Sequence, residues 1–138
     1  MTMDEQVQLY KEDLALLPDK DAKMEYILDF GKEAGTLEPQ YKTDENIIKG
    51  CSSLAWLHKA YDKGKILLEA EGDSIIAKGM LVMLLGIFHN RTPDEILAFD
   101  PNKLKEMGIM ELLSPVRQQG LEAFLNVIYG YAKACKGE

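Results

Sequence analysis

The stretch SIIAKGMLVMLLGIF, Ser74 to Phe88, is apolar nearly all round when wound as a helix. A helix on the surface of a globular protein keeps a polar face, and this one has little beyond Lys78 to offer. It must therefore lie near the centre, with other elements on several sides. Its longest unbroken apolar run, Met80 to Phe88, is far too short to span a bilayer. A chain of 138 residues suits one domain over residues 1–138. At that size about 70% of the unfolded surface can be buried without disulfides or metals.

The elements around this helix follow from periodicity and punctuation. Thr2 to Leu17 reads as a helix, with Thr2 and Glu5 as a capping box and Val7, Tyr10, Leu14 and Leu17 on one face. Pro18 and Asp19 break it. Asp21 to Ala34 reads as a second helix bearing Met24, Ile27, Leu28 and Gly31 on one side, with Gly35 as its C-cap. A polar, loop-like stretch follows. Ile47-Ile48, Leu54–Tyr61 and Ile66–Glu71 are strand candidates, the last two joined by the turn Asp62-Lys63-Gly64-Lys65. Beyond the apolar helix, Thr92-Pro93-Asp94-Glu95 is a capping box and Asp100-Pro101 opens a short helix closed near Gly108. Ser114-Pro115 caps a long last helix with the stripe Leu121, Phe124, Leu125, Ile128, Ala132 and Cys135. Helices, a small sheet, then helices make an α+β arrangement, with a small three-stranded antiparallel sheet flanked by helices.

Charge and compartment narrow the function. With 16 basic and 23 acidic residues the formal charge is −7, which repels nucleic acid and anionic membranes and suits partners with basic patches. The first residues, MTMDEQVQLYKEDL, contain no signal-peptide core and lack transit-peptide character, so a cytoplasmic location is expected. Thiols stay reduced there, and a Cys51–Cys135 disulfide is not expected.

Few residues offer chemistry. Cys51, His58, His89 and Cys135 have no metal-ligand spacing. His58 falls in a strand and suits packing or half-exposure; His89 falls at a helix C-terminus, where the dipole favours a cation and capping is expected. No G-x-G-x-x-G, P-loop or G-x-S-x-G occurs. A cysteine hydrolase would need His58 or His89 brought to a thiol by tertiary structure. Cys135, on the stripe of the last helix, reads as a core side chain. Cys51 differs: it follows Gly50, where the chain can turn sharply, between two apolar runs. Such a thiol can be presented on a loop to a second protein, with nearby backbone N–H groups favouring the thiolate. It can equally be an inert cysteine packed under the loop; spacing alone leaves both readings open.

Ile48-Lys49-Gly50-Cys51-Ser52-Ser53-Leu54-Ala55-Trp56 closely resembles the V/I-x-G-C-x-S-x-V-W signature of the SufE family of sulfur acceptors. Gly72 to Met80 resembles the family's S-D-A-x-I-V-K-G-L, matching at Asp73, Ile76, Lys78 and Gly79, with Gly72 for serine and Ser74 for alanine. Leu113 to Leu121 resembles L-S/T-x-S-R-x-x-G-L, matching at Arg117, Gly120 and Leu121, with Val116 for serine. Ser52 stands where the family commonly has glutamine. The three motifs occur in the family's order.

The resemblance implies a fold shared with iron–sulfur scaffold proteins. It implies a sulfur carrier and activator with no cofactor of its own. A cysteine desulfurase, which holds the pyridoxal phosphate, would pass persulfide sulfur to Cys51, and Cys51 would hand it to an iron–sulfur scaffold complex. It further implies an apolar cavity that shelters the cysteine. The expected assembly is a monomer or weak homodimer. Gly50, Ser52 and Ser53 form the loop; Trp56 is expected in the core beneath it. Asp73 is expected to cap the apolar helix, and Lys78 to pair with Asp73 or face solvent. Arg117 stands either near Cys51, at the partner surface, or as an ordinary first-turn arginine. The alternative from the same fold is an iron–sulfur or metal scaffold, which would ordinarily cluster several thiolates where this loop has one.

Overall fold

The computed structural model describes residues 1–48 and 54–137. Helix α1 (Met3–Ala15) opens with the expected capping box: Thr2 Oγ1 accepts the Glu5 N–H at 3.1 Å and Glu5 Oε1 accepts the Thr2 N–H at 2.8 Å. Helix α2 (Lys20–Glu33) is capped by Asp19, which accepts the Ala22 N–H at 2.8 Å. Its C-cap is Ala34 in an extended conformation, not Gly35, so no left-handed glycine turn closes it. Two short 3₁₀ turns, Pro39–Tyr41 and Asp44–Asn46, carry the chain on to Ile47.

Strands β1 (Ala55–Asp62) and β2 (Lys65–Gly72) form an antiparallel hairpin with Ala55 opposite Gly72 and Asp62 opposite Lys65. Its central turn residues, Lys63 and Gly64, have φ of 53° and 80°, the positive pair that a type I′ turn requires. Period two then sorts the side chains. Ala55, Leu57, Ile66 and Leu68 are buried on the inner face. Trp56, His58, Glu69 and Glu71 lie on the outer one.

Among the described residues the expected third strand is reduced to one bridge, Ile47 to Trp56, beside a two-stranded sheet. The 3₁₀ turn ending at Asn46 uses the preceding residues that a longer strand would need, so among the described residues Ile47-Ile48 is what is left to lie alongside β1.

Helix α3 (Ile75–Phe88) is central as expected: Gly79, Met80, Leu81, Met83, Leu84, Ile87 and Phe88 are buried between α1, α2 and the sheet. Its N-cap is Ser74, which accepts the Ala77 N–H at 3.2 Å; Asp73, expected there, lies one residue too early. His89 is its C-cap residue, as expected, and its backbone N–H donates to the Leu85 carbonyl at 2.8 Å. Its Nδ1 accepts the Leu68 N–H at 2.9 Å, joining the helix end to β2. Helices α4 (Pro93–Ala98) and α5 (Asn102–Glu106) lead to α6 (Pro115–Lys136). The α6 stripe buries Leu121, Phe124, Ile128, Ala132 and Cys135, while Leu125 is only partly covered. Phe124 meets Phe88 edge to face at 6.0 Å between ring centres, which ties α6 to α3.

Candidate functional site

Gly50, Cys51, Ser52 and Ser53 lie outside the described residues. The chain on either side of them is held tightly. The Ile48 N–H donates to the Ala55 carbonyl at 2.9 Å, and the Asp73 N–H donates to the Leu54 carbonyl at 3.0 Å. Ile48 and Ala55 are 4% and 3% exposed, whereas Leu54 between them in sequence is 44% exposed. The cysteine segment thus starts and ends at two buried residues joined by a backbone hydrogen bond.

Those two residues form part of the wall of an apolar pocket of about 50 Å³. Helix α3 adds Ala77 and Leu81, and α6 adds Arg117 and Leu121. Arg117 is the charged residue of the lining among the described residues, and its N–H donates to the Ser114 cap at 3.3 Å. Leu54, Ile75 and Val116 are exposed by 44%, 46% and 43%. Val116 also lines the pocket, so its rim is apolar toward solvent.

The structure separates the other expected site residues. Trp56 is half-buried on the outer face of the hairpin, not in the core, because its position in β1 alternates with the buried Ala55 and Leu57. The Lys42 ammonium stands 5.2 Å above its ring. Asp73 is exposed, and among the described residues it forms no ion pair with Lys78. Lys78 instead lies near Glu71, where its charge helps hold that carboxylate ionised. His58 stacks on Tyr41 with ring centres 3.7 Å apart, on the face opposite Ala55, which does not favour a hydrolase base at the pocket.

Sequence reasoning missed one group. Glu71 accepts the Leu37 N–H at 2.8 Å and pairs with Lys42. Its pKa is lowered, first by the Lys42 hydrogen bond and then by the Leu37 N–H, against a desolvation that raises it. In sequence it is only one of the outward residues of an alternating strand, and nothing local points to Lys42. Among the described residues no group of three or more His, Cys, Asp or Glu side chains could hold a metal ion. Nor is any described helix long and apolar enough to cross a membrane.

The model of the family described as SufE: Fe-S metabolism associated domain matches residues 8–132. The chain belongs to the SufE family. Its role therefore lies in iron–sulfur metabolism. This SufE chain is 33% identical over 108 residues to SufE-like protein 1, chloroplastic/mitochondrial, of Arabidopsis thaliana. The match covers 78% of this chain and 29% of that protein, so the SufE chain spans less than a third of the relative's length. The solution structure of a hypothetical protein from Thermus thermophilus superposes with a TM-score of 0.77 at 18% identity, over 100% of both chains. At that identity the likeness is one of fold, and it places the α+β architecture among known ones.

Proposed function

We propose that this protein carries sulfur for iron–sulfur cluster assembly on Cys51, taking it from the persulfide of a cysteine desulfurase and passing it to a scaffold complex. The observation that supports this most is the pocket whose wall includes both residues flanking the cysteine segment. At about 50 Å³ it suits a few heavy atoms, such as the tip of a persulfide.

The step balances without an outside oxidant. The Cys51 thiolate attacks the outer sulfur of the donor persulfide and a new S–S bond forms on Cys51. The donor's S–S bond breaks, and the leaving thiolate takes up the proton that the Cys51 thiol gave up. The donor is left as a thiol, free to begin another turnover, which is how the carrier stimulates it. The pyridoxal phosphate belongs to that donor.

The apolar walls keep water and polar reductants from the held sulfur. They also disfavour the thiolate, and the cation of Arg117 in the lining opposes that effect. Val116, exposed and part of the pocket wall, offers an apolar edge against which a partner can seat. The acidic chain suits a partner whose outer contact zone is basic.

Incubation with a cysteine desulfurase and free cysteine, followed by intact-mass measurement, tests the site. The wild type gains one sulfur atom, about 32 Da, by persulfide exchange. Cys51→Ser gains none, and Cys135→Ser behaves as wild type. An adduct that persists in Cys51→Ser overturns the assignment, and a stable brown product on anaerobic reconstitution would point to a scaffold instead.

A further inference from the structure

The segment from Ala34 to Ile48 has little internal support. Its regular structure is two 3₁₀ turns, which are weakly bonded and do not stand alone. Its position must come from ties to the sheet behind it. Tyr41 stacks on His58, and Lys42 stands over Trp56. Glu71 makes the two polar ties: it accepts the Leu37 N–H at 2.8 Å and pairs with Lys42. Its side chain is only 11% exposed, and a carboxylate removed from water that far must be fully partnered. Glu71 lies directly opposite Trp56 in the hairpin, and Trp56 bridges Ile47 on its other edge. One row across the sheet therefore runs from Glu71 through Trp56 to Ile47, and the next residue, Ile48, lines the apolar pocket.

We propose that Glu71 is a positioning residue: it latches residues 37–48 onto the outer face of the hairpin and, through Ile48, sets one wall of the pocket that serves the transferred sulfur. The relevance to transfer rests on the function proposed above; the latch itself does not. Glu71 touches neither the pocket nor a reacting atom, and it acts through the strap. Lys42 is its partner on the strap, and the charge of Lys78 reinforces the ionised form from α3.

Three variants separate the parts. Glu71→Leu removes both ties, Glu71→Gln keeps an oxygen for the Leu37 N–H but loses the ion pair, and Lys42→Met removes the cation from the strap without touching the sheet. Amide hydrogen exchange at Leu37 and Ile48 reads the latch directly, with Leu57 in β1 as the internal reference. Protection at both amides should fall by about tenfold in Glu71→Leu relative to Leu57, as expected for loss of a charge-assisted tie. Glu71→Gln and Lys42→Met should fall in between. In the same variants Cys51 should be alkylated faster by iodoacetamide. Sulfur uptake at saturating desulfurase should slow, with little change in the desulfurase concentration for half-maximal rate.

Exchange and alkylation need no partner. If the wild type accepts no sulfur yet the variants lose Ile48 protection and alkylate faster, the latch stands and the transfer reading fails. If the wild type accepts sulfur and Ile48 exchanges as in wild type in all three variants, the latch is overturned and the transfer reading stands. A fall in melting temperature with unchanged relative protection at Ile48 also overturns it.

Discussion

Gly79 sits where α2 and α3 come closest, and replacing it with alanine tests that approach. A Cβ there would fall on the Ile27 carbonyl oxygen, well inside the 3.0 Å that real Cβ atoms keep, with Ile27 Cγ2 at 3.0 Å as well. The contact is reciprocal: a Cβ at Gly31 would meet the Ile75 carbonyl and sit 2.9 Å from Ile75 Cγ1. Ile27–Gly31 and Ile75–Gly79 are each one turn apart, so the two glycines form matching notches on facing ridges. The obstacle is backbone on both sides, and no rotamer change relieves it. The helices must part by about 1 Å to restore ordinary contact, which places the cost near the upper end of overpacking, about 3 kcal/mol. Removing a glycine from a helix returns about 1 kcal/mol. The net loss of about 2 kcal/mol corresponds to a melting temperature lower by about 6–8 °C for a chain of this size. Gly130→Ala in α6 is the control, because its Cβ meets nothing within 4 Å. It should melt about 3–4 °C higher than wild type, from helix propensity alone. Thermal unfolding followed by circular dichroism measures both. If Gly79→Ala melts within about 2 °C of wild type, the helices do not approach as described. Because α3 carries Ala77 and Leu81 of the pocket wall, the same substitution should also slow sulfur uptake.

Ser74→Ala should cost about 1 kcal/mol in urea unfolding while Asp73→Ala costs only a few tenths, since Ser74 holds the cap of α3; equal losses would contradict that assignment. Acid should weaken the fold through Glu5, Glu71 and Glu95, all of whose pKa values are lowered. The first cause is the Thr2 N–H for Glu5, the Lys42 hydrogen bond for Glu71 and the Thr92 N–H for Glu95. A carboxylate whose folded value is depressed contributes stability that is complete above the ordinary value of 4.5 and is lost as pH falls through the folded value. The urea midpoint should therefore hold steady from neutrality down to the ordinary carboxylate range and fall below it. Glu71→Gln should show a shallower fall, and an identical acid profile would remove Glu71 from that set.

Elements defined by local chemistry were legible in the sequence. The capping boxes at Thr2 and Thr92, the Ser114 cap, the Lys63-Gly64 turn and the all-apolar α3 each rest on residues within a few positions of one another, and each is present. Features decided by distant partners were not. Asp73 and Ser74 are both good caps, and the competition was settled where Asp73 is tied through its backbone to Leu54. Ile47-Ile48 has strand-forming residues but, among the described residues, makes a single bridge, to Trp56. Gly79 matched a family motif, yet its purpose appears only when α2 lies against it. At the site, the resemblance singled out Gly50-Cys51, which lie outside the described residues, and Arg117, which lines the pocket. An apolar cavity was implied by the resemblance, but its lining was not legible, because its walls come from four separate stretches of the chain. The Leu37–Glu71–Lys42 tie spans a loop and a strand with no shared pattern.

A carrier of the proposed kind faces opposed requirements. Sulfur held as a persulfide must be kept from water and small thiols, which asks for apolar walls. Accepting that sulfur takes a thiolate, which apolar walls disfavour. The two are reconciled if shelter and attack happen in different places. Ile48 and Ala55, buried and hydrogen-bonded to each other, fix where the cysteine segment leaves and rejoins the body of the protein. Bringing loop ends together is the costly part of ordering a loop, and here it is already done by the sheet. On the proposed function, docking of a partner beside the exposed Val116 of the pocket wall would supply the second place, and the thiol would gain its reactivity only where a donor or acceptor is present. Alkylation of Cys51 by iodoacetamide should accordingly quicken in the presence of a desulfurase whose own cysteine has been replaced, and a rate unchanged or slowed at saturating partner would show that docking does not release the thiol.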